Sequence, residues 1–115
     1  MTAARQRLGA QGEDQAAAWY EAAGYVVVVR NWRCRDGEID LICSRGGVVA
    51  IVEVKTRSTM AYGHPAEAVT PTKQRRLRRL ASLWLASQGR SGWVELRFDV
   101  VAIIAGRIEV IEAAF

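Results

Sequence analysis

Two hydrophobic rhythms alternate along the 115 residues, one of period 3.6 and one of period 2, and together they predict helix, three strands, helix, two strands. From about Ala3 to Ala23 the chain is rich in Ala, Gln, Glu and Arg, a helix-forming mixture closed by Gly24. One stripe of this helix reads Gly9, Gly12, Glu13, Ala16, Ala17 and Tyr20, small enough to lie close against a sheet. Tyr25 to Arg33 is a β-branched run and a first strand. The runs EIDLIC and VVAIVEVKT follow, joined by a turn at Ser44 to Gly47, which predicts a hairpin. Ser58 to Val69 is a loop in which His64 is expected to be structural. Thr70 and Pro71 open a second helix that runs to about Gln88 and stops at Gly89, with Leu77, Leu80, Ala81, Trp84 and Leu85 as its apolar stripe. Trp93 to Ile104 and Arg107 to Ile111 form a second hairpin about Ala105 and Gly106. A helix separates the third strand from the fourth, so that pair is expected to be parallel within a mixed sheet. The result is one α/β domain spanning residues 1–115.

The pattern breaks in one place. By strict alternation, Glu38, Asp40 and Ile42 share one face of the second strand, while Ile51, Glu53 and Lys55 share one face of the third. The opposite faces, Ile39, Leu41 and Cys43 with Val52 and Val54, are wholly apolar. Acids and an ammonium at the ends of runs this apolar are costly unless something binds them. Asp40, then Glu53 after 12 intervening residues, then Lys55 gives D-x12-E-x-K. Two carboxylates from adjacent strands suit Mg²⁺ or Mn²⁺, with the backbone carbonyl of Val54 as a further ligand. Lys55 would orient or deprotonate an attacking water, and Glu13 would hold a second metal or a metal-bound water. Arg57 continues the Lys55 face towards a neighbouring phosphate. The bland alternative is a cross-strand salt bridge from Lys55 to Asp40 or Glu53.

Extending the second helix's stripe back one turn lands on Lys73 and Gln74, which should point to the polar end of the sheet. Arg75, Arg78 and Arg79 fall on the other side and Arg76 on the flank, either a nucleic-acid surface or a solvated face. A net charge of +4, from 16 basic and 12 acidic residues, leans towards polyanionic partners. Cys34 and Cys43 fit no zinc spacing and are expected to be reduced thiols. No apolar run has signal-peptide or membrane-spanning character, which makes a cytoplasmic protein the expectation. Arg97 and Asp99 share a face of the fourth strand and are expected to pair structurally rather than to catalyse.

The segments G-x-x-G-E (Gly9 to Glu13), N-W-R (Asn31 to Arg33), G-E-I-D-L-I (Gly37 to Ile42), V-E-V-K-T-R (Val52 to Arg57), E-A-V (Glu67 to Val69), Lys73 and R-F-D-V-V (Arg97 to Val101) stand in order over nearly the whole chain. In these the sequence resembles the YraN-like bacterial family, within the restriction-endonuclease-like PD-(D/E)xK nuclease superfamily and related to archaeal Holliday-junction resolvases. The resemblance implies a three-layer nuclease fold, Asp40 and Glu53 as metal ligands, Lys55 as catalytic lysine and Glu13 as supporting acid. Ile39 departs from the superfamily pattern, standing where proline precedes the aspartate.

Three functions follow as expectations. The first is a metal-dependent endonuclease acting on DNA, ahead of RNA, with branched or single-stranded structures as candidate substrates and a homodimer as the form a symmetric junction would match. The second is a catalytically inactive nucleic-acid-binding module of the same fold. The third is an assembly factor with Trp32 or Trp93 exposed to a partner.

Overall fold

A computed structural model describes residues 3–61, 63–89 and 94–115, the side chain of Arg5 excepted. The helix-forming first segment is α1 (Ala3–Ala22), ended by Gly24 at a positive φ of 89°. The strands β1 (Val26–Cys34), β2 (Gly37–Arg45) and β3 (Val48–Arg57) follow as consecutive antiparallel hairpins. Gly46 and Gly47 make the two-residue loop between β2 and β3, where Gly46 takes φ 59°, a conformation glycine adopts without steric cost. A short 3₁₀ turn, Pro65–Ala68, precedes α2 (Pro71–Ser87). His64 caps that turn, its Nδ1 accepting from the Ala66 N–H while Nε2 pairs with Glu109, so its role is structural as expected. Thr70 caps α2 by accepting the Lys73 N–H at 3.3 Å. The strands β4 (Glu95–Ile104) and β5 (Arg107–Ile111) close the chain as a hairpin, and the expected start of β4 at Trp93 lies outside the described residues.

The sheet runs in the order β1-β2-β3-β4-β5. The β3–β4 pair is parallel and the others antiparallel, as the crossover predicts. Alternation along β3 divides the interior. Val49 and Ile51 pack on the α2 side with Leu77, Leu80, Ala81 and Trp84. Ala50 and Val52 pack on the α1 side with Ala16, Ala17 and Tyr20. Three layers result, helix–sheet–helix. Gly12 is what lets α1 come so near, since a Cβ there would collide with the Thr56 side chain on β3.

Strict alternation fails in β2, which corrects the expectation that Ile39, Leu41 and Cys43 share a face. Leu41 and Cys43 do face α1, but Ile39 joins Ile42 on the α2 side. The irregularity sits at Asp40 and at Asn31 on β1, the one residue of that strand with a positive φ, 54°. Trp32↔Ile39 and Arg30↔Leu41 pair on either side of it. Trp32 packs against the α2-side core, so it is not the exposed marker of a partner surface. Cys34 and Cys43 are free thiols on opposite sides of the sheet, as their spacing suggested.

Candidate functional site

The site begins where β2 and β3 stop pairing. Their ladder runs from Arg45↔Val48 to Leu41↔Val52 and ends there, although both strands continue. Past that point β2 stays with β1 and β3 stays with β4. Asp40 fills the opening, its Oδ2 accepting the Val54 N–H at 2.8 Å where a strand carbonyl would otherwise serve. A cavity of about 320 Å³ lies in the fork, lined by residues that include Asp40, Glu53, Val54, Lys55, Lys73 and Arg76.

Two charge groupings meet here. Glu13 from α1 and Glu38 and Asp40 from β2 each bring a carboxylate oxygen, all within 4.8 Å of one another. Burial and the neighbouring carboxylate of Glu53, with smaller contributions from Glu13 and Glu38, push Asp40 up to about 7 against the pull of the Val54 hydrogen bond. Glu53 itself is only 5 % exposed. Its Oε1 is held by two ammonium groups, Lys73 at 2.7 Å and Lys55 at 3.2 Å. Burial and the adjacent Lys73 lower the pKa of Lys55, making its proton easier to remove. Burial works against Lys73 too, but the bond to Glu53 prevails and its ammonium is held more firmly than usual.

The structure thus brings Glu13, Asp40, Glu53, Val54, Lys55, Lys73 and Arg76 to one place. The Lys55–Glu53 salt bridge weighed from the sequence is present, but both residues stand on β3, so it runs along one strand and not across two. Gln74 and Arg57 are directed elsewhere. Gln74 donates its side-chain amide to the Val69 carbonyl at 3.1 Å, fastening the start of α2, and Arg57 donates to the Thr56 carbonyl at 2.9 Å. Glu38, which strict alternation puts on the face of Asp40, joins the site as well, and its Oε2 pairs with Arg33 Nε at 2.9 Å. The signal available was the adjacency of Glu38 and Asp40 in G-E-I-D itself.

A sequence profile describing an uncharacterised protein family, UPF0102, matches residues 12–103. The chain belongs to that family. Among similar UPF0102 proteins, one from Nocardia farcinica is 54 % identical over 100 residues, covering 87 % of this chain and 78 % of the relative. One from Rhodococcus jostii is 57 % identical over 99 residues, covering 86 % and 83 %. One from Clavibacter michiganensis is 49 % identical over 115 aligned positions, covering 95 % and 96 %. The UPF0102 match takes in Glu13, Asp40, Glu53, Lys55 and Lys73 alike. No described helix is long and apolar enough to cross a membrane.

Proposed function

We propose that this UPF0102 protein is a metal-dependent nuclease of the restriction-endonuclease-like superfamily that hydrolyses phosphodiester bonds of DNA, with branched or single-stranded DNA as the preferred form. One observation carries it: in the fork between β2 and β3, acids and lysine from separate strands converge on a single cavity, and the acids crowd one another. Carboxylates this close repel unless a cation or a proton stands between them. The donors are all hard oxygens, which suit Mg²⁺ or Mn²⁺ better than zinc, and Asp40 and Glu53 with Glu13 and Glu38 are the residues to hold it. A divalent ion there would polarise the phosphoryl oxygen and offset the charge built up on it.

The chain's own residues supply the rest. Lys55 lines the cavity and gives up its proton more readily than an ordinary lysine, so it suits the base that receives a proton from the attacking water. The water oxygen forms the new bond to phosphorus, the ester P–O bond breaks, and the leaving oxygen takes up a proton from solvent. Arg76, on the cavity's α2 wall, suits the substrate's phosphate backbone, and the +4 net charge favours the polyanion.

The test is cleavage of labelled four-way junction, flap, single strand, duplex and RNA with Mg²⁺, Mn²⁺ or EDTA, comparing wild type with Lys55→Ala. Cutting should require metal and fall about a hundredfold or more in the variant, the range for loss of a general base, with circular dichroism unchanged. Absence of cutting together with salt-dependent binding would instead favour the inactive nucleic-acid-binding module.

A further inference from the structure

Lys73 occupies a position that helix energetics alone disfavour. It is the third residue of α2, in a first turn that contains no acidic residue, where the helix N-terminus is partly positive and a cation is repelled. Nothing in α2's own packing requires it, since the buried side begins at Leu77. What holds it is Glu53, at 2.7 Å and closer than the neighbouring Lys55 at 3.2 Å, both on the same carboxylate oxygen. The remaining acids are gathered around Asp40 instead, with Glu13 and Glu38. The acids of the fork are therefore divided, one share clustered together and the other held by lysine.

We propose that Lys73 is the resident counter-ion of Glu53, and that a divalent cation entering the fork competes with its ammonium group for the Glu53 carboxylate in joining it with Asp40. This rests on the metal-binding reading above and adds a competition to it. Lys73 is 31 % exposed in its side chain and sits on the cavity wall, so it has room to swing from Glu53 into the opening. Displacement would couple occupancy of the fork to release of a cation on α2, beside Arg76, where a phosphate of the substrate would arrive. Metal would then bind weakly to the free protein and more tightly once a phosphate had taken over Lys73.

The experiment is Mn²⁺ binding to the whole chain, followed by electron paramagnetic resonance, for wild type, Lys73→Met, Lys73→Gln and Asp40→Asn, with no nucleic acid present. Removing a competing unit charge at hydrogen-bonding range shifts such equilibria by about one to three powers of ten. Lys73→Met and Lys73→Gln should therefore bind Mn²⁺ at least about tenfold more tightly than wild type, and Asp40→Asn more weakly. Both Lys73 variants should also gain more in thermal midpoint from added Mn²⁺ than wild type does. Equal or weaker Mn²⁺ binding by the Lys73 variants, with wild type binding and Asp40→Asn impaired, would overturn the counter-ion role and leave the metal site standing. No Mn²⁺ binding by any folded variant at millimolar metal would overturn both.

Discussion

Two buried aspartates of this protein live under opposite regimes. Asp99 on β4 is fully buried, yet every direction is answered. The Tyr20 hydroxyl donates to it at 2.7 Å, Arg97 donates twice at 2.9 and 2.8 Å, and the Ala113 N–H donates at 3.0 Å. Arg97 donates in turn to the Tyr25 hydroxyl, so one carboxylate ties α1, the start of the sheet and the end of the chain together. Asp40 is less buried but has the Val54 N–H on one side and carboxylates on the others. Burial of charge does not separate structure from chemistry; the sign of the neighbours does. A carboxylate surrounded by donors is a fastening, whereas a carboxylate facing other carboxylates carries repulsion that a proton or, on the proposed function, a cation would relieve. Among the described residues no buried side-chain nitrogen or oxygen lacks a hydrogen-bond partner, so a search for orphaned polar atoms would have passed over the fork altogether.

The contrast has consequences that stability measurements can reach. Asp99→Ala leaves the Arg97 guanidinium and the Tyr20 hydroxyl without their acceptor in a closed interior. It should cost about 3–5 kcal/mol, the range for breaking a buried ion pair from one side, read from urea unfolding, with Mn²⁺ affinity of the folded fraction unchanged. A cost below 1 kcal/mol would mean that Asp99 is not the fastening the geometry describes. Tyr20→Phe removes a single donor to the same charge and keeps the ring in its pocket, so a loss of about 1.5–3 kcal/mol is expected in the same assay.

Asp40→Asn should act in the other direction, and increasingly as pH rises above 4. The folded protein holds Asp40's proton up to about pH 7, above the ordinary 3.8, so the stability this lends is complete below pH 4 and is lost as pH rises through 7. Above that, the ionised Asp40 is a net burden that an amide relieves while still accepting the Val54 N–H. With solvent screening at this half-buried site, Asp40→Asn should stabilise by about 1–2 kcal/mol at pH 8, by roughly a third of that at pH 5 and by almost nothing at about pH 3. Destabilisation at pH 8 in metal-free buffer would erase the distinction between the two aspartates.

Much of this was legible from local pattern. Helix caps, glycine turns and apolar stripes are decided within a few residues, and α2 begins at Pro71 behind the Thr70 cap as its sequence indicates. The D-x12-E-x-K spacing places Asp40 and Glu53 on adjacent strands because a two-residue glycine loop fixes the register between them. Three features lay beyond such reasoning. Period-2 bookkeeping assumes an unbroken pleat, and the irregularity at Asn31 and Asp40 turned Ile39 to the α2 side. Lys73 was placed near the sheet's polar end, but its choice of Glu53 depends on where a distant helix docks. Arg78, placed by the helical pattern on the side of α2 away from its apolar stripe, lies over the Phe98 ring at 4.6 Å and near Phe115. That cap depends on the last residue of the chain folding back onto β4, a contact with no local signature.

The parting of β2 from β3 has a mechanical side. Beyond Leu41↔Val52 the sheet is two ribbons joined at a common stem, each keeping its own ladder to its outer neighbour. Widening such a fork would break no interstrand ladder bond, only the Asp40–Val54 clasp at its throat, much as a clothes-peg held shut by a single stitch opens when that stitch is cut.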